Sequence, residues 1–407
     1  MDFDDTPEEA AFRVECRAWL DAHATLRNTE DSRVWRMYRP RDRDEDLAAL
    51  HAARAWQSTK ADAGYAGIAW PVELGGRGLS AHLAAIFAEE EARYDVPANF
   101  FQVGVEMVGP TLMQYGSPDQ RERFLDVTRR GELMWCQLFS EPGAGSDLAA
   151  LSTRAERDGD EWVVNGQKVW TTAAQMSDWA ILLVRTNPDA PKHRGITFLL
   201  LDMTTPGVDV RPLRQIDGAA HFNEVFLTDV RVPLDAVVGS VDDGWRVAVS
   251  TLTHERSAIA GGGMVQWSEI RTLAETMGRI DDPVIRQHLA RTWSYFTITR
   301  LLGARVRTAV SHGRMPGPES SVMKLHISRQ YETGGDLLCE LLGPAATLGQ
   351  SSSPYGGFFQ DVFLGQWAPR LGGGTDQVQR NIAGERVLGL PAEPRVDKDV
   401  AFRDLPR

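Results

Sequence analysis

The sequence is poor in cysteine, in basic residues relative to acidic ones, and in long apolar runs. Its three cysteines, Cys16, Cys136 and Cys339, lie far apart with no C-x-x-C pair. Neither a disulfide framework nor a zinc site can be assembled from them, so reduced thiols in a cytoplasmic protein fit best. Only 44 Lys and Arg face 56 Asp and Glu, a net charge of −12. That balance disfavours a general phosphate-backbone binder, and nucleic acid is not an expected partner. No apolar run approaches the roughly 18 residues that a membrane span needs, and the stretch Met1–Glu9 is acidic without the apolar centre of a signal peptide. The expectation is a protein with no membrane span. No His, Asp and Glu cluster has metal-ligand spacing, and no metal is expected. What is present in quantity is glycine and tryptophan, 37 and 12 residues. Such counts raise the question whether some of them face a ligand instead of a core.

A chain of 407 residues suggests two or three domains. Thr6, Pro7 and Glu9 spell an N-cap, a proline at the first helical position and a capping-box glutamate, and Phe12, Cys16 and Leu20 follow on one face. Helical patterns continue through Leu47–Ala63 and Ala81–Tyr94, and Ser117-Pro118 with Gln120 opens another helix. After Gly131 the texture changes to short apolar runs: 134–139, 162–165, 179–185, 196–202, 208–212 and 224–232. Asn165-Gly166 between Trp162-Val163-Val164 and Lys168-Val169-Trp170 predicts a hairpin turn. From Gly244 helical periodicity returns, broken at Pro283, Pro316-Gly317-Pro318 and the 343–357 loop, and Gly389 with Pro391 supplies a stop. The expected architecture is α+β: a helical domain over 1–130, an antiparallel β-domain over 131–243 and a helical bundle domain over 244–407.

Three stretches carry chemistry. In the first, Ser140-Glu141-Pro142-Gly143-Ala144-Gly145-Ser146-Asp147, glycines and small hydroxyl residues let backbone N–H groups approach a phosphate or a flat ring. In isolation such a loop is more often a plain turn. Trp170-Thr171-Thr172 then places an indole beside hydroxyls at a strand end, suited to stacking on a planar ring, although a lone Trp there would serve a core as well. The third is Gly372-Gly373-Gly374-Thr375-Asp376-Gln377-Val378-Gln379-Arg380-Asn381, in which Thr375 is a plausible N-cap of a helix beginning at Asp376.

Together with Asn165-Gly166-Gln167-Lys168-Val169 these segments resemble the acyl-CoA dehydrogenases nearly end to end. The resemblance implies a helical, β, helical flavoprotein with bound FAD that oxidises an acyl-CoA thioester to the trans-2-enoyl-CoA. It implies that Ser140 meets the flavin pyrimidine edge, with Gly145 and Ser146 beside the cofactor and the CoA chain. Trp170 would stack on the isoalloxazine, with Thr171 and Thr172 near flavin N5. Gly374, Thr375 and Gln377 would meet the adenine dinucleotide portion. An electron-transfer flavoprotein is the implied acceptor, and a dimeric or tetrameric assembly the implied state.

The glutamate that precedes the late Gly-Thr in many family members is replaced here by Gly373, which cannot act as a base. A second family position, on the first helix of the C-terminal domain, matches Glu255, with Arg256 as its adjacent arginine on the substrate side. At about 100° per residue, Glu255 and Arg256 lie about 60° and 40° from Leu252, bordering the apolar face of that helix. The wheel alone would equally suit two charges satisfying neighbours at a packing edge. The resemblance assigns Glu255 as the α-proton base and the Gly373 N–H as a donor to the thioester carbonyl.

Gly372–Gly374 and Gly261–Gly263 suggest a wide pocket for a long, branched or sterol-derived acyl chain. The family's Arg-x-Thr-Phe element, which reaches a neighbour's FAD pyrophosphate, has no clear counterpart near Arg279. That arginine either replaces it or is a solvated helix-end cation. The segment Glu340-Leu341-Leu342-Gly343-Pro344 is also altered, which would suit a subunit of a heterotetramer with half the FAD complement. His254 and His221 are expected to be structural. Two alternatives to the dehydrogenase are a flavin monooxygenase on the same scaffold and a non-catalytic partner subunit.

Overall fold

The computed structural model describes residues 5–27, 43–259, 265–311, 317, 320–349, 352–394 and 397–405. The side chains at 43, 255–259, 307, 310 and 311 lie outside that description, as do residues 261–263, 316 and 318. Two compact units emerge. One comprises Met1–Arg39, Ala85–Asp95 and Ile259–Glu393, and the other Pro40–Ala84, Val96–Ala258 and Pro394–Arg407.

The first unit is mainly helical. Helix α1 (Pro7–His23) opens with the capping box between Thr6 and Glu9 and buries Phe12, Cys16 and Leu20. Strands β1 (Thr25–Leu26) and β2 (Tyr94–Asp95) pair antiparallel. The buried Glu90 carboxylate gathers the guanidinium groups of Arg13, Arg17 and Arg93. The later helices are Trp267–Thr276, Pro283–Ser311, Ser320–Leu342, Phe358–Gly365, Ala368–Leu371 and Asp376–Ile382. Ile270, Leu273, Ile285, Leu338, Leu341 and Val362 form their core.

The second unit contains a seven-stranded sheet. Its strands are β3 (Trp135–Leu138), β4 (Arg154–Asp158), β5 (Glu161–Thr172), β6 (Trp179–Arg185), β7 (Ile196–Asp202), β8 (Val208–Leu213) and β9 (Phe222–Pro233). Most pairings are antiparallel, but β3 and β4 run parallel to β6, a departure from the fully antiparallel expectation. The chain leaves β3, passes through the 139–151 loop and the β4–β5 hairpin, and returns along β6 in the same direction, as a crossover connection requires. Helix Pro118–Arg129 carries the expected Ser117 and Gln120 capping box. Its Phe124 and Leu125 join Trp135, Ile181, Phe198 and Val247 in one core.

Asn165-Gly166 does not form a turn. Both residues lie inside the continuous strand β5, and the hairpin turn instead falls at Gly159, between β4 and β5. The Asn165 amide donates to the Asp229 carboxylate at 3.0 Å, and its oxygen accepts the Asp229 N–H at 2.9 Å. A Cβ at Gly166 would meet the Thr153 hydroxyl oxygen at 2.4 Å. Cross-strand partners therefore outweigh the local turn preference, and the glycine serves close packing.

Candidate functional site

The 140–147 loop is anchored at its base and bare at its apex. The Lys168 ammonium, fully buried, donates to the Phe139 carbonyl at 3.1 Å and to the Glu141 carboxylate at 2.9 Å. Glu141 also accepts the Ser152 N–H and hydroxyl and the Thr153 N–H, at 2.7, 2.9 and 2.8 Å. Burial by itself would raise the Glu141 pKa. The Lys168 charge and the hydrogen bonds from Thr153, Lys168 and Ser152 outweigh burial and hold it at about 2. Between these anchors Glu141 and Ala144 exchange backbone hydrogen bonds across a tight turn. Gly143, Gly145 and Ser146 are exposed, and a Cβ at either glycine would meet open space. The protein's own packing does not demand those glycines.

Beside the loop, β5 is irregular. The pairing register between β5 and β9 shifts between Lys168 and Thr171. The Val169 N–H, outside that ladder, donates to the Ser140 carbonyl at 2.9 Å and ties the strand to the loop. Trp170 takes φ 62° and is 62% exposed, with an edge contact to Phe222 at 6.1 Å. The left-handed conformation costs a residue with a Cβ about 1–2 kcal/mol. Strain spent on an exposed aromatic is a mark of a functional position.

Neighbouring groups hold this conformation. Asn223, wholly buried on β9, donates to the Thr171 carbonyl at 3.0 Å and to Gln175 Oε1 at 2.5 Å. Ala173, also left-handed at φ 53°, donates its N–H to the His221 carbonyl. Thr172 is exposed, whereas the Thr171 side chain is buried with its hydroxyl unpartnered. Of the two adjacent threonines, only Thr172 offers an accessible hydroxyl.

Helix Gly244–Ile259 presents Val247, Ala248 and Thr251 to the core of the same unit, with Trp245 and Leu252 packed at its margin. The Thr251 hydroxyl lies 2.9 Å from that of Thr111. Positions 255 and 256 fall on this helix, their side chains outside the described residues. Burial lowers the His254 pKa and so favours the neutral imidazole.

In the first unit, Thr375 caps helix Asp376–Ile382 by accepting the Val378 N–H, as its sequence predicts. Gly373 and Gly374 both take positive φ, 62° and 84°. The buried Gln379 amide donates to the Gly373 carbonyl at 2.9 Å and fixes that peptide. Asp376 is buried against Ser328 and Lys324, whereas Gln377 is exposed. The Arg279 guanidinium rests on the Glu340 carbonyl and the Asp282 carboxylate, each at 3.2 Å.

Three consecutive stretches match known domains: "Acyl-CoA dehydrogenase, N-terminal domain" over residues 6–132, the middle domain over 136–230 and the C-terminal domain over 242–388. Acyl-CoA dehydrogenase IpdE1 of Mycobacterium tuberculosis is 42% identical over 360 residues, 85% of this chain and 90% of its own. The chain belongs to the acyl-CoA dehydrogenase family. This acyl-CoA dehydrogenase also resembles Acyl-CoA dehydrogenase FadE26 of Mycobacterium tuberculosis, 33% identical over 96% of this chain and 99% of that one. Among solved structures it matches the Tcur3481-Tcur3483 steroid ACAD at TM-score 0.81 and 28% identity, covering 97% of this chain and all of that one. The ChsE4-ChsE5 complex from Mycobacterium tuberculosis matches at TM-score 0.77 and 31% identity, again over 97% of this chain and all of that one.

The residues present fit the family's flavin. An open glycine cradle, an exposed indole held on a strained bulge and an exposed Thr172 hydroxyl are groups that gain partners from a planar, phosphate-bearing ligand. Neither the Glu141–Lys168 ion pair nor Asn223 carries a local signal in the sequence of this acyl-CoA dehydrogenase. Lys168 follows Gln167 and precedes Val169 on its strand, and nothing local identifies Glu141 as its partner. Among the described residues, no helix is long and apolar enough to cross a membrane, and no acidic, His and Cys cluster could hold a metal.

Proposed function

We propose that this protein is an FAD-dependent dehydrogenase converting a long, branched or sterol-derived acyl-CoA to its trans-2-enoyl-CoA. The observation that carries the chemistry is the exposed, strained Trp170 beside an open glycine loop in a member of this family. The acyl class is supported by the likeness to a steroid ACAD. FAD, when bound, supplies the acceptor for the β-hydrogen and its electron pair.

The chain's residues do the remaining work. Glu255 takes the α-proton onto a carboxylate oxygen, with Arg256 beside it on the substrate side. The Gly373 N–H donates to the thioester carbonyl and so acidifies that proton. Trp170 stacks on the flavin ring and Thr172 donates to its edge, with Ser140, Gly145, Ser146 and Thr171 lining the loop side. Gly374, Thr375 and Gln377 meet the adenine dinucleotide portion, and Arg279 the pyrophosphate. An electron-transfer flavoprotein receives the electrons, and the protein is cytoplasmic. Two solved structures with paired names, Tcur3481-Tcur3483 and ChsE4-ChsE5, favour a heteromeric assembly.

Anaerobic addition of long-chain, branched and sterol side-chain CoA thioesters to the purified protein tests this reading. The wild type bleaches the flavin, and Glu255→Gln slows bleaching about 10²–10⁴-fold. Undiminished bleaching by Glu255→Gln refutes the base, and butyryl-CoA as best substrate refutes the acyl class. A colourless protein that bleaches nothing supports a partner-subunit role.

A further inference from the structure

The family match ends at residue 388, yet residues 397–405 are docked on the connection between β6 and β7. The Phe402 and Arg403 N–H groups donate to the carbonyls of Ala190 and Pro188, both at 3.0 Å, and Ala401 bridges to Pro191. Arg403 also pairs with Asp189. This C-terminal segment thereby extends the connection between β6 and β7.

Two side chains carry that contact onward to the glycine loop. The Lys192 ammonium lies 2.7 Å from the Asp397 carboxylate and 2.9 Å from that of Asp147, the residue after Ser146. Arg185, 3% exposed, has the Phe402 ring 3.9 Å from its guanidinium carbon. The same guanidinium donates to the carbonyls of Ala149 and Lys192 at 2.7 and 2.8 Å. The exit of the 140–151 loop is thus tied to Phe402 through Arg185, and Asp147, just past its bare apex, to Asp397 through Lys192.

We propose that residues 397–405 form a clasp that holds the 140–151 loop in its ligand-receiving shape, with Lys192 and Arg185 as positioning residues. The proposal rests on that loop being the flavin cradle. A loop whose apex is bare must be held from behind if it is to meet a ligand without first being ordered. Preorganisation of this kind appears as affinity, because the ordering cost is no longer charged to binding. Arg185 needs the Phe402 ring for this role, since ring and guanidinium together exclude water from its hydrogen bonds.

The test compares the full chain, a chain ending at Glu393, and the point variants Asp397→Asn, Phe402→Ala and Phe402→Tyr. FAD affinity of each apoprotein is read by flavin fluorescence, and amide hydrogen exchange is followed by mass spectrometry. Truncation and Phe402→Ala are expected to weaken FAD binding about tenfold or more, and to speed exchange in 140–151 as well as 186–195. Phe402→Tyr should restore both readouts, because a phenol ring stacks as well. Asp397→Asn should give a smaller loss in the same direction. Unchanged FAD affinity and unchanged exchange in 140–151 would overturn the clasp, even if thermal stability fell. Should the truncated chain not fold, the point variants decide. Failure of the full chain itself to bind FAD is a different result, which overturns the cradle reading.

Discussion

The Lys168 ammonium lies 2.9 Å from the Glu141 carboxylate, and both are sealed from water. This one pair joins strand β5, which carries Trp170, to the loop that carries Ser140 and Ser146. A buried charge left without its partner is costly, so the two residues act as a single unit.

Lys168→Met is therefore expected to cost about 3–5 kcal/mol at neutral pH. Adding Glu141→Gln should return part of that loss, because no unpaired charge then remains. Urea unfolding of the two single variants and the double variant gives the coupling directly. Additive losses would show that the pair is not a unit.

The same pair sets an acid limit. Glu141 titrates at about 2 in the folded protein, below the ~4.3 of an unfolded glutamate. Its contribution is fully present above the unfolded value and is lost as pH falls through the folded one. Near neutral pH it amounts to about 3 kcal/mol. Unfolding free energy measured from pH 5 down to pH 2 should fall for wild type more steeply than for Glu141→Gln. Parallel profiles would refute the assignment.

Trp170 is held at φ 62° with its indole largely in solvent. Trp170→Gly relieves that conformation and should stabilise the apoprotein by about 0.5–1 kcal/mol, net of the glycine's entropy. The same change should weaken FAD binding through loss of the stacking face. A loss of several kcal/mol in apoprotein stability would mean that the indole serves the core.

Gly145 faces open space without requiring positive φ. Gly145→Ala should leave the apoprotein unchanged or up to about 1 kcal/mol more stable. Weaker FAD binding in the same variant, measured by equilibrium dialysis, would locate the ligand against the loop. Unaltered binding would leave the glycine without a ligand-facing role.

Much of this protein is written locally. The capping boxes at Thr6 and Ser117, the Thr375 cap and the limits of β6 and β7 depend on residues a few positions apart, and the chain order displays them. The exposed loop glycines, Trp170 and Thr172 were also legible as motifs. Their conformations were not, because the partners that impose them are distant in sequence. Asn165 answers to Asp229, Lys168 to Glu141, Thr171 to Asn223 and Arg185 to Phe402. Asn165-Gly166 shows the consequence: a pair with strong turn preference became mid-strand once its cross-strand hydrogen bonds were available. Sequence determined which elements form and which segments carry the family's motifs. Tertiary structure decided where strands pair and which groups are buried together, since a buried charge or a strained φ is stable only with a partner brought from elsewhere in the chain.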